Sequence, residues 1–298
     1  MRKTSVYLPD ALKDRLGEVA RTTGRSEAQL LRLAVERLVA GEPAGHAPIA
    51  RREDPVAARH RPGPELIGVG VGPGDPGLVT RRAVEVLRDA DRVVAPSTSA
   101  MAVGRAEAIV REIAPEVGVE RVAFVMEVET AARAAALDAA AATLVGHLDA
   151  GERVAFITLG DPNVYSTFSS LAAAVRRLRP AVPVSVVPGI MAFQDLAARA
   201  GTTVVDGREH LVLVPAHAAA GDDALAAAAA DPSAAVVVYK GGARIGEVAA
   251  TLAAHGRLDG AVVGELLGLP GGRVAPLAAI ADRPASYLAT LIVPPVRP

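Results

Sequence analysis

Two apolar segments of the sequence each run into a Gly-Asp-Pro turn, and these turns are candidates for a ligand site. The first segment is Leu66-Ile-Gly-Val-Gly-Val-Gly-Pro-Gly-Asp-Pro76, and the second is Ala155-Phe-Ile-Thr-Leu-Gly-Asp-Pro162. Each pattern is typical of a buried strand that ends in a tight loop before a helix. Because the carboxyl ends of parallel strands line the ligand crevice of open sheets, we expect both loops to border one site. For a single Gly-Asp-Pro sequence, an ordinary turn is the favoured interpretation.

The loop Gly72–Gly77 formally matches the G-x-G-x-x-G pattern of dinucleotide-binding proteins. Three features exclude a bound pyrophosphate in our interpretation. Pro73 and Pro76 remove two backbone N–H donors, and Asp75 would repel the anion. The next predicted strand, RVVAPSTS, also offers no acid for a ribose hydroxyl. The loop is therefore predicted to approach a ligand other than a phosphate.

Three further apolar segments end in glycine turns, which gives five such junctions along the chain. They are Val186-Val-Pro-Gly-Ile-Met-Ala192, Val236-Val-Val-Tyr-Lys-Gly-Gly242 and Val263-Gly-Glu-Leu-Leu-Gly-Leu-Pro270. Gly189 in the first of them would permit close approach of another backbone. Each segment taken alone is compatible with a plain turn.

Strands and helices alternate from residue 65 onward, which predicts an α/β fold with largely parallel strands. Strands are predicted at LIGVGV, RVVAP, VAFVM, RVAFITL, VPVSVV, HLVLVP, AVVVYK, GAVVGEL and YLATLIVPP. Helices are predicted over residues 80–90, 101–113, 130–150, 164–178, 222–230 and 244–255. A break near 188–210 divides the segment into two α/β sub-domains, 65–188 and 189–298, with a ligand cleft expected between them.

The first 42 residues have a pattern of their own, followed by a linker over 43–64 that is rich in proline and glycine. Polar and apolar residues alternate in Thr4–Leu8, which predicts a short strand, and two helices follow. Ser26-Glu-Ala-Gln29 has the form of a capping box that opens the second helix. Because so short a segment cannot bury a sufficient core alone, we expect it to dimerise through paired strands.

This strand-helix-helix segment resembles a ribbon-helix-helix DNA-binding module over residues 2 to about 40. The resemblance implies that the outward side chains of the strand contact DNA. Those candidates are Lys3, Ser5 and Tyr7. Residues 1–42 hold eight basic and six acidic side chains, so attraction to phosphate would be weak. The alternative is that the segment only dimerises or solubilises the chain.

Composition excludes several other classes of function. The net charge is −1 from 32 basic and 33 acidic residues, so no global field attracts nucleic acid or anionic membrane. The absence of cysteine excludes thiolate metal ligation and a cysteine nucleophile. The six histidines show no paired metal-ligand spacing, so no metal site is expected. No apolar run is long enough to span a bilayer and the N-terminus is too polar for a secretory signal, so we expect a cytoplasmic protein without a membrane partner.

Taken in order, the five glycine junctions resemble those of the tetrapyrrole methylase superfamily, over residues 65–294. Within it, the segments TLGDPNVYSTFSSL, VPGIMAFQDLAARAG, GREHLVLVPA and SYLATLIV are most similar to the precorrin-2 C20-methyltransferases of cobalamin biosynthesis. The resemblance implies a homodimer that binds S-adenosylmethionine between two α/β sub-domains and methylates C20 of a tetrapyrrole substrate. That substrate would be precorrin-2 or its cobalt-bound counterpart.

Carried over position by position, the resemblance implies two sets of site residues. The residues that would bind S-adenosylmethionine are Pro73, Leu159, Gly160, Asp161, Val164, Met191, Ala192, Tyr239 and Lys240. Because a methyl transfer needs alignment rather than a nucleophile, only a base for the departing proton is sought. Its candidates by position are Asp75, Tyr165 and Glu265. The alternatives are that Asp75 fixes its turn, that Tyr165 is a buried helix residue, and that Glu265 pairs with an arginine.

Two other functions stay open from the sequence. One is a DNA-binding regulator whose methylase-like portion senses a ligand without turning it over. The other is an enzyme of the same superfamily with a peptide or another non-tetrapyrrole substrate. A polycarboxylate substrate would require arginines around the cleft. Those near predicted loops or helix starts are Arg81, Arg82, Arg105, Arg199, Arg208 and Arg244.

Overall fold

The computed structural model describes most of the chain, which divides into two compact units at residues 61 and 62. The described residues are 10–23, 25–32, 63–97, 103–124, 130–216, 220–283, 285–286 and 288–297. No helix among these residues is both long and apolar enough to span a bilayer.

The described residues of the first unit form helix α1 (Asp10–Thr23) and a second helical segment, α2, of which residues 27–32 are described. The predicted capping box is confirmed at the start of α2. The N–H of Ser26 donates to Oε1 of Gln29 at 2.9 Å, and the N–H of Gln29 donates to Oγ of Ser26 at 3.3 Å. The strand expected before α1, with the DNA-contact candidates Lys3, Ser5 and Tyr7, lies outside the described residues.

The second unit begins with a parallel sheet of five strands in the order β3-β2-β4-β1-β5. The strands are β1 (Glu65–Gly70), β2 (Arg92–Ser97), β3 (Val119–Ala123), β4 (Arg153–Thr158) and β5 (Val184–Val187). The helices are α3 (Arg81–Asp89), α4 (Arg105–Ile113), α5 (Thr130–Asp149) and α6 (Thr167–Leu178). A 3₁₀ turn, Pro76–Leu78, links β1 to α3.

Helices cover both faces of this sheet, which explains the uninterrupted apolar runs of its central strands. In β4, Ala155 and Ile157 pack toward α3 and α4, whereas Val154 and Phe156 pack toward α5 and α6. The Phe156 ring lies between the rings of Phe124 and Phe168, with centroid distances of 5.9 and 6.0 Å. The sheet therefore has a separate apolar core on each side.

A second, mixed sheet has the order β6-β7-β10-β8-β9, in which β6 and β7 are parallel and the other pairs are antiparallel. Its strands are β6 (His210–Pro215), β7 (Ala234–Tyr239), β8 (Val262–Glu265), β9 (Arg273–Pro276) and β10 (Thr290–Val293). Its helices are α7 (Ala192–Ala200), α8 (Ala220–Ala230) and α9 (Ile245–Ala254). Helices α8 and α9 pack on one face and α7 on the other. The predicted α/β fold is confirmed by the two sheets with their helices. The expectation of largely parallel strands holds for the first sheet and is wrong for the second, where three of the four strand pairs are antiparallel. Strand β9 was not predicted from the sequence.

Candidate ligand-binding site between the two sheets

Three loops of the parallel sheet are in direct backbone contact at glycine residues. Gly72 and Gly160 form an isolated antiparallel bridge, in which the N–H of Gly160 donates to the carbonyl of Gly72 at 2.8 Å. A Cβ atom on Gly189 would lie 2.9 Å from Cα of Gly70 and closer still to the carbonyl oxygen of Gly160. We call Gly70, Gly160 and Gly189 the glycine seam. It joins the ends of β1, β4 and β5.

Asp161 holds two of these loops together with its carboxylate. Oδ1 accepts the N–H of Asn163 at 2.8 Å, and Oδ2 accepts the N–H of Gly189 at 3.1 Å. Because both oxygens are engaged by backbone donors, the side chain positions the loop. A contact from this residue to a ligand would come from its main chain, as the resemblance implies.

The β1 loop also reaches the second sheet, where it packs on the loop that follows β8. A Cβ atom on Gly268 would lie 2.7 Å from Cα of Asp75, so the two backbones are in direct contact. Oδ1 of Asp75 accepts the N–H of Gly77 at 2.8 Å and caps the 3₁₀ turn. Oδ2 lies 3.7 Å from the guanidinium of Arg199, and the Asp75 side chain remains 44% exposed. One Asp75 oxygen therefore fixes the turn, and the other lies beside the guanidinium of Arg199.

Tyr165 connects the β4 loop to the second sheet. Its hydroxyl donates to the carbonyl of Leu213 at 2.8 Å, and its ring meets the Tyr239 ring edge-on at 5.8 Å. The predicted helix start at residue 164 is wrong, because Ser166 caps α6 and the helix begins at Thr167. Burial raises the pKa of Tyr165, and its proton is already donated to Leu213. These contacts favour a structural role over the predicted role as a base.

Tyr239 packs against the apolar cluster between α7 and the second sheet, and its hydroxyl is a polar atom in these apolar surroundings. Its hydroxyl oxygen is buried and makes no hydrogen bond of normal geometry within the described part of the chain. Burial raises the pKa of Tyr239 to about 12, against a smaller lowering by the N–H of Phe193. Phe193 lies in the first turn of α7, just after the predicted ligand residues Met191 and Ala192. The start of α7 and the end of β7 therefore meet at this hydroxyl.

Lys240 follows directly after β7 and is half-buried. Its Nζ lies 3.4 Å from the carbonyl oxygen of Tyr165. Burial lowers the pKa of Lys240, and the charge of Arg133 lowers it further. Arg133 could not be identified from the sequence as a neighbour of Lys240, because one arginine in an alanine-rich helix forms no recognisable motif.

Glu265 is not available as a base. One oxygen is paired with the guanidinium of Arg273, and the other accepts the N–H of Ser286 at 2.6 Å. The residue is only 6% exposed. The alternative of an arginine partner therefore accounts for Glu265, which links β8 to β9 and to the segment before β10.

Backbone strain is concentrated in the same loops. Among the described residues, the non-glycine residues with positive φ are Tyr165 (48°), Lys240 (59°) and Leu266 (49°). Such conformations cost on the order of 1–3 kcal/mol each and cluster at functional sites. They follow β4, β7 and β8, whose loops border the cleft. The strain therefore marks the cleft as the candidate site.

The loops carry all the residues that the resemblance assigns to the cofactor. Pro73 lies in the β1 loop, and Met191 and Ala192 lie at the start of α7. Tyr239 is the last residue of β7, and Lys240 follows it. The residues in the β4 loop are Leu159, Gly160, Asp161 and Val164. Of the three candidate bases, only Asp75 has an oxygen to which none of the described residues donates a hydrogen bond. A separate groove of about 790 Å³ lies at the amino ends of β2 and β3, at the other end of the parallel sheet from these loops.

Comparison with known families gives one match that covers most of the second unit. Residues 65–281 match the family described as tetrapyrrole (corrin/porphyrin) methylases. The chain is 34% identical over 238 residues to the precorrin-2 C(20)-methyltransferase of a Sinorhizobium species, covering 77% of this chain and 94% of that protein. It is 31% identical over 232 residues to the cobalt-precorrin-2 C(20)-methyltransferase of Salmonella typhimurium, covering 77% and 95%.

Solved structures support the same fold. The methyltransferase CobJ aligns with a TM-score of 0.58 at 21% identity, over 78% of this chain and 94% of CobJ. The uroporphyrin-III C-methyltransferase of Thermus thermophilus, solved with S-adenosyl homocysteine, aligns with a TM-score of 0.57 at 24% identity. That alignment covers 77% of this chain and 97% of the Thermus protein.

Proposed function

The chain belongs to the tetrapyrrole methylase family, and from this premise we propose that it transfers a methyl group from S-adenosylmethionine to C20 of precorrin-2 or cobalt-precorrin-2. The two relatives that bear these names are 34% and 31% identical, and the chain covers 94% and 95% of their lengths. Because the family match over residues 65–281 includes the parallel sheet and every loop of the candidate site, the proposal concerns the whole site.

The residues of the cleft fit the methyl donor. The glycine seam lets the three loops pack backbone against backbone, which brings the proposed donor-binding residues of these loops close together. The unpartnered hydroxyl of Tyr239 offers a buried donor in the same cleft. The Thermus relative solved with S-adenosyl homocysteine supports a donor of this class. The residues proposed to hold it are Pro73, Leu159, Gly160, Asp161, Val164, Met191, Ala192, Tyr239 and Lys240.

S-adenosylmethionine supplies an electrophilic methyl group on a sulfonium. The protein's part is to align the two reactants and exclude water, and no protein nucleophile is required. When a meso carbon gains a methyl group, it must lose its proton. We assign that proton to Oδ2 of Asp75, because Oδ1 is engaged by the N–H of Gly77 and Oδ2 belongs to a side chain that is 44% exposed.

The observation that carries the proposal is the contact between loops of both sheets at one place. The test is incubation of the purified chain with precorrin-2 and methyl-labelled S-adenosylmethionine, followed by mass analysis of the product. A gain of one labelled methyl group is expected. Asp75→Asn should slow the reaction, while the matched control Asp259→Asn, at an exposed turn, should not. Bound S-adenosyl homocysteine with no labelled product would contradict the proposal.

The homodimer, the cytoplasmic location and the DNA contact of residues 1–42 remain predictions. In the described part of the first unit, Lys13 of α1 is paired with Glu27 of α2. This pairing neutralises one of the few cations that could have attracted phosphate.

A further inference from the structure

Arg199 of α7 lies between two carboxylates that belong to different elements. Its Nε donates to Oδ1 of Asp195 at 2.8 Å, four residues earlier on the same helix. Its Nη2 lies 3.7 Å from Oδ2 of Asp75, in the loop that follows β1. Because the two contacts use different nitrogens of one planar guanidinium, the contact with Asp195 restricts where Arg199 meets Asp75. Three charged side chains therefore link α7 to the β1 loop.

Asp195 is buried although it is charged. Its side chain is only 5% exposed, whereas that of Arg199 is 40% exposed. The second oxygen of Asp195, Oδ2, is buried and has no hydrogen-bond partner among the residues that the structure describes. A buried carboxylate with one unsatisfied oxygen is costly, and the first turn of α7 offsets this cost only in part. Stability alone therefore does not explain an aspartate at this position.

The β1 loop, at the other end of the link, carries the proposed base. Oδ1 of Asp75 accepts the N–H of Gly77, and the backbone of Asp75 packs against Gly268. These contacts fix the main chain of the loop and one carboxylate oxygen. For Oδ2, the contact that remains within the described part of the chain is the ion pair with Arg199.

We propose that Asp195 and Arg199 are positioning residues for the methyl transfer, and that Asp195 acts through Arg199 to orient Oδ2 of Asp75. The inference rests on the proposed function, in which this oxygen accepts the proton that the meso carbon loses. Orientation matters because a base must lie within hydrogen-bond reach of the proton that it removes. This role requires no contact of Asp195 or Arg199 with either ligand.

Three variants separate the orientation of Asp75 from the stability of α7. Arg199→Met removes the guanidinium and keeps an apolar stem. Asp195→Leu removes the buried carboxylate at similar volume, and Asp195→Asn keeps an oxygen that can accept the N–H of Arg199. The matched control is Arg111→Met. Arg111 is also an exposed helical arginine, and it pairs at 2.6 Å with the buried Glu107 four residues earlier.

Arg199→Met and Asp195→Leu should each lower kcat by about 5-fold, the effect of losing one partly exposed ion pair. The KM for precorrin-2 and the affinity for S-adenosyl homocysteine should not change, because neither residue binds a ligand. Asp195→Asn should retain more activity than Asp195→Leu, and Arg111→Met should match the wild type. Since apolar residues often replace buried ion pairs without loss of stability, Asp195→Leu should keep its midpoint of urea unfolding.

A double-mutant cycle with Asp75→Asn tests whether Arg199 acts through Asp75. In the Asp75→Asn background, Arg199→Met should have no further effect on kcat, and an equal further loss would overturn the inference. A raised KM for precorrin-2 in Arg199→Met would also overturn it, because the guanidinium would then bind the substrate directly. Weaker binding of S-adenosyl homocysteine in Asp195→Leu would do the same, since Met191 and Ala192 begin the same helix.

Hydrogen exchange provides a measurement that does not depend on activity. Without the ion pair, Asp75 is held less firmly against its turn, so the Gly77 amide should exchange about 2- to 5-fold faster in Arg199→Met and Asp195→Leu. Arg111→Met should leave this rate unchanged. A wild-type protein that does not methylate precorrin-2 would contradict the proposed function, while the exchange rates would still decide whether Arg199 holds Asp75. Unchanged exchange in both variants would overturn the inference.

Discussion

Replacing Gly189 by alanine should both destabilise the protein and damage the ligand site. The added Cβ would lie 2.9 Å from Cα of Gly70 and nearer to the carbonyl oxygen of Gly160, whereas real Cβ atoms essentially never approach other atoms below 3.0 Å. Both obstacles are backbone, which cannot rotate away. Since φ of Gly189 is not in the left-handed region, the conflict is one of space alone.

The expected cost follows from two effects. Overpacking of a tight contact costs about 1–3 kcal/mol. A shift of the loop would also stretch the hydrogen bond from the N–H of Gly189 to Asp161, and bonds to charged groups contribute about 1.5–3 kcal/mol. A loop shift that relieves the overpacking weakens the hydrogen bond to Asp161 further. We therefore expect a net loss of about 3 kcal/mol in the free energy of unfolding. Affinity for S-adenosyl homocysteine should fall by at least about 10-fold, because the loop moves.

Gly146→Ala provides a matched control with the opposite sign. Gly146 lies inside α5, is exposed, and has open space where a Cβ would go. Alanine in a helix interior is more favourable than glycine by about 0.5–1 kcal/mol, so this variant should be more stable than the wild type. Urea unfolding followed by circular dichroism gives both stabilities, and calorimetry gives both affinities. Equal stability and affinity in Gly189→Ala and the wild type would refute the backbone contact at the seam.

Three other predictions concern side chains with defined partners. Tyr165→Phe removes the bond to Leu213 and should lower the unfolding free energy by about 1 kcal/mol; if Tyr165 were the base, kcat would collapse instead. Glu265→Gln should lower the midpoint of thermal unfolding and reduce the free energy of unfolding by about 1–3 kcal/mol. The rate of methyl transfer should stay unchanged. A hydrogen bond from Arg121 lowers the pKa of the buried Glu107, so its stabilisation is present above the ordinary pKa of 4.5 and is lost as the pH falls through the lowered value. Acid titration of stability should therefore be shallower for Glu107→Gln than for the wild type, and parallel curves would contradict this assignment.

The glycine junctions show which part of the site the sequence could predict. A strand that runs into glycine and then a helix is a local pattern, so the residue order alone places the loops at Gly160 and Gly189 at strand ends. The capping box at Ser26 is equally local. The start of α6 was missed because Tyr165 continues the apolar pattern, although Ser166 is a good cap and marks the boundary.

Contacts between distant segments were beyond such reasoning. The hydroxyl of Tyr165 meets the carbonyl of Leu213 only because the β4 loop packs against β6, and neither segment indicates the other. The partner of Glu265 was anticipated as an arginine, but Arg273 could not be identified without the β8–β9 pairing that the sequence analysis missed. Only four residues form β9, and the preceding Pro-Gly-Gly segment is typical of a loop.

The glycine seam has a consequence for divergence within the family. A surface made of peptide groups presents the same donors and acceptors whatever side chains surround it. Proteins that share only a third of their residues can therefore preserve the same recognition surface, provided the loops keep their lengths. Insertions and deletions in these loops, rather than substitutions beside them, are the changes expected to abolish the site.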